Sequence, residues 1–177
     1  MTDLKIALAG NPNAGKTTLF NALTGSRQHV GNWPGKTVEC KQGHFRHRGK
    51  EIEVIDLPGT YSLTAYSEEE VIARDFILFE KPDIVVAVVD ATNLERNLYL
   101  VVQVLELQVP MILALNMSDR ARNLDYEIDD IRLSESLGGT PVVFICARSR
   151  EGLTELRDEI VNLDVSKETM TPKKVVT

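Results

Sequence analysis

A mostly parallel α/β sheet with helices on both faces is the fold class that the sequence predicts, and three observations predict it. Short apolar runs rich in Val and Ile recur at residues 5–9, 52–55, 84–89, 110–115 and 142–145. Helix-length amphipathic stretches separate most of them, and an ordered, glycine-bracketed octapeptide joins the first run to the first helical stretch. Strands covered on both faces read as unbroken apolar runs because water reaches neither side. The sum is about six strands, with one antiparallel edge strand, and about five helices. One compact domain is expected over residues 1–163, since 177 residues that are 43% hydrophobic and 26% charged suffice to bury a substantial core.

The first strand runs into Gly10-Asn11-Pro12-Asn13-Ala14-Gly15-Lys16-Thr17, a complete G-x-x-x-x-G-K-T phosphate loop, and Thr18 continues into a helix expected over 16–24. Gly10 and Gly15 allow a tight turn that aims successive amides and the helix N-terminus at one point, where they can bond phosphate oxygens. Lys16 adds a full positive charge at the β and γ phosphates, and Thr17 supplies a hydroxyl suited to Mg2+, a hard cation that prefers oxygen. The alternative is a glycine turn with an incidental Lys, against which stand eight ordered positions in a strand-loop-helix frame.

A Gly-rich stretch, 31–38, follows and is read as a mobile loop; it contains Gly35, Lys36 and Thr37, the last a candidate second Mg2+ ligand. Residues 38–45 read as the antiparallel edge strand, turning through 46–50 into the strand 52–55. Asp56-Leu57-Pro58-Gly59 closes that strand: Asp56 can hold Mg2+ through water and the Gly59 amide can meet a γ-phosphate. Contacts made only to the triphosphate would turn both segments into order–disorder switches. Helices are expected over 67–79, 94–108, 129–137 and 152–162, with acidic Glu68, Glu69 and Glu70 favouring the dipole of the first of these. Residues 164–177 read as a polar, disordered tail.

Two later segments name the base. Asn116-Met117-Ser118-Asp119 ends the run 110–115, where an open α/β sheet places its ligands. The Asp119 carboxylate can accept from the ring N–H and exocyclic amine of guanine. Adenine lacks that donor pair and would leave a buried carboxylate unpaired, a loss of about four orders of magnitude in sites built on hydrogen bonds. Asn116 would brace the loop and reach the other purine edge, while Cys146-Ala147-Arg148, after 142–145, could offer a backbone N–H to the guanine carbonyl. Alone, Asn-x-x-Asp is as often only a turn. The order and spacing of these segments behind the phosphate loop strengthen both.

All five guanine-nucleotide segments of the translation-factor-related GTPases thus occur in order between Gly10 and Arg148, and the chain resembles one family in particular, the cytosolic G domain of the FeoB ferrous iron transport proteins. The residues that carry the resemblance are Gly10 through Gly25, Val30-Gly-Asn-Trp-Pro-Gly35, Asp56-Leu-Pro-Gly-Thr-Tyr-Ser-Leu63 with Tyr66-Ser67, and Asp90-Ala-Thr-Asn-Leu-Glu-Arg-Asn-Leu98, within a span of about 3–162. The resemblance implies a P-loop GTPase (Ras-like) fold and a slow GTPase whose switches regulate Fe2+ uptake. Its implied cofactors are Mg2+, on Thr17, Thr37 and Asp56, and an activating K+ held by Asn13 and the carbonyls of Gly31 and Trp33. Lys16, Asn13, Thr37 and Gly59 would be the catalytic set. The resemblance places the chain in the cytoplasm, at the inner membrane's cytoplasmic face, joined to a membrane pore domain that these residues do not hold. The chain would then be a truncated piece, or a variant lacking the family's helical domain.

Three departures from a generic small G protein bear on mechanism. Thr60 stands where many GTPases carry a water-orienting Gln; Met117 replaces the usual Lys and keeps only apolar cover over the base; and charged Lys36 precedes Thr37.

Other signals resolve toward structure. No apolar run approaches the ~20 residues a spanning helix needs. Cys40, His44 and His47 suggest an Fe2+ site, but on a strand Cys40 and His44 point one way and His47 the other. The basic cluster at 46–50 suggests RNA, yet in a chain of net charge −6 a solvated hairpin tip fits better, and no nucleic acid partner is expected. Trp33 is expected as a mobile, partly exposed indole. Two rivals stay open: a ribosome- or tRNA-associated GTPase, and a GTP-dependent switch with negligible hydrolysis. Exchange of the Gly-rich segment between chains, giving a homo-oligomer, is left undecided.

Overall fold

The computed structural model describes the backbone of residues 1–170, with side chains through Asp164; the end of the expected tail, 171–177, lies outside the described residues. Among the described residues, seven strands form a single sheet: β1 (Leu4–Gly10), β2 (Gln28–Asn32), β3 (Glu39–His47), β4 (Lys50–Asp56), β5 (Ile84–Asp90), β6 (Met111–Asn116) and β7 (Val142–Phe144), in the order β2-β3-β4-β1-β5-β6-β7. From β4 to β7 all neighbours are parallel, while β2 and β3 are antiparallel to their partners. Helices α1 (Lys16–Thr24) and α6 (Leu153–Met170) cover one face. The other carries α2 (Glu68–Asp75), its π-helical continuation Phe76–Glu80, and α3 (Leu94–Glu106), with α4 (Ser118–Asn123) and α5 (Asp130–Ser136) alongside.

Strand side chains alternate between two buried layers, which is why the runs read as continuous. Ile6, Leu8, Val54 and Val86 meet Leu19, Phe20 and Leu156 under α1 and α6. Ala7, Ala9, Ile55 and Val85 meet Phe76, Ile77 and Val104 on the far side. Every parallel strand delivers its C-terminal end to one edge of the sheet, where Asp56, Gly10 and Asn116 end β4, β1 and β6.

The structure departs from the sequence reading in four places. The polar segment 28–32 is a strand, paired from Gln28 with Gly43 to Asn32 with Glu39, so the antiparallel edge expected at 38–45 lies one strand inward. The helix expected over 67–79 changes to a π-helix after Asp75. Helix α4, six residues long, carried no periodic signal. Helix α6 extends to Met170, past the expected boundary at 164.

The basic turn explains part of that extension. Arg48 and Gly49 both take positive φ, as a tight two-residue hairpin demands. The tip is not freely solvated: His47 Nε2 lies 2.5 Å and Arg48 Nε 3.0 Å from Asp158 Oδ1, and Lys50 pairs with Asp164. The bond from His47, then the Arg48 charge, hold the Asp158 carboxyl below its ordinary range.

Candidate functional site

The phosphate loop is shaped by close approaches at its two glycines. A Cβ at Gly10 would lie 2.6 Å from the Val88 carbonyl of neighbouring β5, and one at Gly15, where φ is +86°, would lie 2.1 Å from Asn116 Nδ2. Asn13 also takes positive φ, which Asn tolerates. Gly15 precedes α1 without any side-chain cap and no acidic residue occupies the first turn, so the leading amides and the positive end of the helix dipole are left for an anion. The loop opens on a hollow of about 570 Å3 lined by Asn11, Pro12, Asn13, Lys16, Thr17 and Gly59.

A second hollow of about 270 Å3 adjoins it through Gly15, Thr18 and Met117, and is lined further by Asn116, Asp119, Cys146, Ala147 and Arg148. Asn116 is buried and spans three segments: its Nδ2 donates to the Ala14 carbonyl at 2.9 Å, and its Oδ1 accepts from the Ala147 N–H at 3.0 Å. Both halves of the amide thus brace the loop, and each retains one further hydrogen-bonding position, an N–H on Nδ2 and a lone pair on Oδ1. Asp119 opens α4; the Arg120 N–H is the main reason its carboxyl sits below the ordinary range, with the Cys146 thiol adding to it. A carboxyl held below its ordinary range, in a hollow also lined by Met117 and Ala147, can read a planar base by paired hydrogen bonds.

Lys16 and Asp56 are both buried and bonded to each other, Nζ to Oδ1. Burial pushes the Asp56 carboxyl up and the Lys16 ammonium pulls it back. An ammonium held against this carboxylate marks where positive charge is needed, and Asp56 with the exposed Thr17 hydroxyl offers the hard oxygens that Mg2+ prefers. The Asn11 Oδ1, buried without a partner in the loop, is a further open acceptor. Gly59 packs against Pro12, and the buried Thr60 donates its N–H to the Gly10 carbonyl at 3.1 Å, tying the two segments together. Beyond them Glu70 gathers the chain after Thr60: its carboxylate accepts from Ser62 Oγ at 2.8 Å and the Tyr66 N–H at 2.8 Å, while Ser67 caps the Glu70 N–H, close to a capping box. Glu70 is therefore a structural anchor, beyond the helix-dipole role read from the sequence.

The segment 31–38 is where the expected site is not assembled. Gly31 lies in β2 opposite Cys40, and Trp33-Pro34-Gly35-Lys36 forms a type II turn, with Pro and a positive-φ Gly at the two positions that turn type favours. The Trp33 carbonyl accepts the Lys36 N–H at 2.9 Å, so it is engaged within the turn. Gly31, Trp33, Gly35, Lys36 and Thr37 line neither hollow, and Thr37 is exposed. Asn13 is thus not brought together with the Gly31 and Trp33 carbonyls. The partly buried indole of Trp33 packs edge-on against Phe76, with ring centroids 5.5 Å apart at 73°. Its Nε1 is buried without an acceptor among the described residues, an arrangement that costs about 1–3 kcal/mol.

Comparison with known proteins agrees with this geometry. A sequence profile described as "Ferrous iron transport protein B" matches residues 4–160. The Fe(2+) transporter FeoB of Salmonella typhimurium is 52% identical over 154 residues, which is 85% of this chain and 20% of the relative. A fusion of Fe(2+) transport protein A and transporter FeoB from Porphyromonas gingivalis is 48% identical over 90% of this chain and 19% of its own length. The chain therefore spans about a fifth of the curated relatives it matches. Among solved structures, the FeoB G-domain of Methanococcus jannaschii superposes with a TM-score of 0.81 at 48% identity, covering 92% of this chain and 98% of that one. The cytosolic domain of T. maritima FeoB in its GMPPNP form gives 0.87 at 50% identity, covering 90% and 63%. With its strand order, its phosphate loop and its base-side carboxylate in one frame, this chain belongs to the ferrous iron transport protein B family.

Proposed function

We propose that this chain is a G domain that binds GTP with Mg2+, hydrolyses it slowly to GDP and phosphate, and changes shape with the γ-phosphate so as to regulate Fe2+ uptake by a longer transporter. The observation that carries the proposal is the base-side hollow, where Asp119 stands beside Asn116 and Ala147 with the phosphate loop directly joined to it. Gly10, Asn11, Asn13, Ala14, Gly15, Lys16, Thr17 and Thr18 would cradle the phosphates. Gly35, Lys36, Thr37 and Gly59 would close on the γ-phosphate side, and Met117, Cys146 and Arg148 would flank the base. The structure of T. maritima FeoB with GMPPNP, and another with GDP, support nucleotide-dependent switching for this chain.

Thr17, Thr37 and Asp56 are the residues that would hold Mg2+, which when bound neutralises phosphate charge. A K+ held by Asn13, with Gly31 and Trp33 carbonyls freed from the turn, would add positive charge beside the γ-phosphate, as an arginine finger does elsewhere. Turnover without it would be slow, because the buried Thr60 offers no water-orienting amide. In the cell the chain would work at the cytoplasmic face of the inner membrane, joined to the membrane part of the transporter; among the described residues no helix is long and apolar enough to cross a membrane itself.

A second reading, a GTP-dependent switch with negligible hydrolysis, is favoured by the same want of a base near the γ-phosphate position. The RNA-associated alternative loses its support, since the basic turn 46–50 is engaged by α6. Calorimetric titration with Mg2+ tests the whole: GTP is expected to bind and ATP to bind far more weakly, and equal affinity for the two would end the proposal. Single-turnover hydrolysis in KCl and in NaCl at matched ionic strength separates the two readings. A faster rate in KCl is expected of the enzyme, and no hydrolysis in either salt leaves the switch.

A further inference from the structure

The segment that carries Thr37 is fastened by contacts that take no part in cradling phosphates. The indole of Trp33 reaches into a cavity of about 560 Å3 between the outer face of β3–β4 and the helical segment α2, where its edge meets Phe76. Phe76 is buried and opens the π-helical continuation, a rare helix form that clusters at functional places. Three residues on, Lys36 Nζ lies 3.2 Å from Glu68 Oε1 at the start of α2.

We propose that Trp33 is a latch: docked on Phe76, it keeps the 33–38 turn closed and withholds Thr37 from the phosphate hollow until a Mg2+-bound nucleoside triphosphate draws it out. The inference rests on the nucleotide reading above and adds the contact that regulates it. Three observations carry it. Thr37 is exposed and lines neither hollow while the latch is docked. The indole Nε1–H of Trp33 is buried with no acceptor among the described residues, so the docked form keeps an unmet hydrogen bond that undocking relieves. The Lys36–Glu68 tether joins two side chains that are each about two-fifths exposed, at 42% and 41%, and such pairs hold weakly. A diphosphate has no γ-oxygens to reward Thr37 for moving, so GDP leaves the latch docked.

Trp33 is the chain's single tryptophan, and its emission reports the latch alone. Acrylamide quenching is measured without nucleotide, with Mg2+ and GDP, and with Mg2+ and a non-hydrolysable GTP analogue. Quenching is expected to be low in the first two states and to rise about threefold with the analogue. Phe76→Leu keeps an apolar side chain but removes the ring face that the indole meets, and Glu68→Gln cuts the tether at the surface without touching the core. Both should raise quenching in the nucleotide-free protein. Analogue affinity relative to GDP should tighten about tenfold for Phe76→Leu and about twofold for Glu68→Gln, because less of the population starts latched. Equal quenching in all three states, or variants that shift GDP and analogue affinity alike, overturns the latch. Failure of GDP itself to bind sinks the reading of the site and takes the latch with it.

Discussion

The base side and the γ-phosphate side of this site are built in different ways. On the base side, Asn116 bolts the phosphate loop to the turn after β7 through two bonds of 2.9 and 3.0 Å, and Asp119 is ionised at the start of α4. These groups follow the buried strand β6 and the edge strand β7, and the bonds among them hold them in place before any ligand arrives. On the γ-phosphate side the residues that should close belong to an exposed edge hairpin that faces elsewhere, with Thr37 out in solvent and Trp33 docked on Phe76. The contrast teaches a division of labour. Recognition of the base needs fixed geometry and would fall to strand ends and the turns braced to them, while sensing of the third phosphate needs two conformations and would fall to the exposed loop that joins β2 to β3.

Four substitutions break or sharpen that contrast. Asp119→Asn should have the largest effect, weakening GTP and GDP alike by about 10^3-fold or more and favouring xanthine nucleotides, whose extra oxygen the amide can meet. Calorimetry reads it, and undiminished GDP affinity would undo the base assignment. Lys16→Ala should weaken both nucleotides by about 10^2-fold by removing a charge-assisted contact to phosphate.

The Lys16→Ala substitution also strips Asp56 of the ammonium that offsets its burial. The Asp56 carboxyl is already raised in the folded protein, so the stability tied to its proton is fully present below the ordinary aspartate value of about 4 and is lost as pH rises through the higher folded value. The Tm deficit of Lys16→Ala relative to the parent chain should accordingly widen from pH 4 towards neutrality; a deficit that shrinks over that range contradicts the burial of Asp56.

Asn116→Ala comes next, because it orphans the Ala14 carbonyl and the Ala147 N–H together. A loss of about 2–3 kcal/mol is expected, read as a Tm drop of roughly 5–10 °C, with weaker binding of both nucleotides. A stability unchanged by this variant would show that the base side is less rigid than its bonds suggest. Thr37→Ala should be the mildest and the most selective, weakening a GTP analogue about tenfold while leaving GDP as it was. Equal loss for both would mean that Thr37 serves the site before the third phosphate arrives, and the contrast between the two sides would fail.

What the sequence determined by itself was whatever depends on residues close together in the chain. The Val- and Ile-rich runs fixed the parallel strands, because both faces of each had to be apolar. The octapeptide from Gly10 to Thr17 fixed the phosphate loop, because its glycines, Lys16 and Thr17 act over one turn of backbone. The polar strand β2 was invisible, since an edge strand with little burial carries no apolar pattern and exists only because β3 offers it bonds. Local pattern named Asn116 as a brace but not its partners, which lie 102 and 31 positions away, and it was silent on Asp158, which holds the basic turn from 111 positions on. The tertiary structure alone decided that Thr37 faces solvent and that Trp33 packs on Phe76. Those outcomes are set by competition among distant surfaces for one side chain, and no window of neighbouring residues contains the competitors.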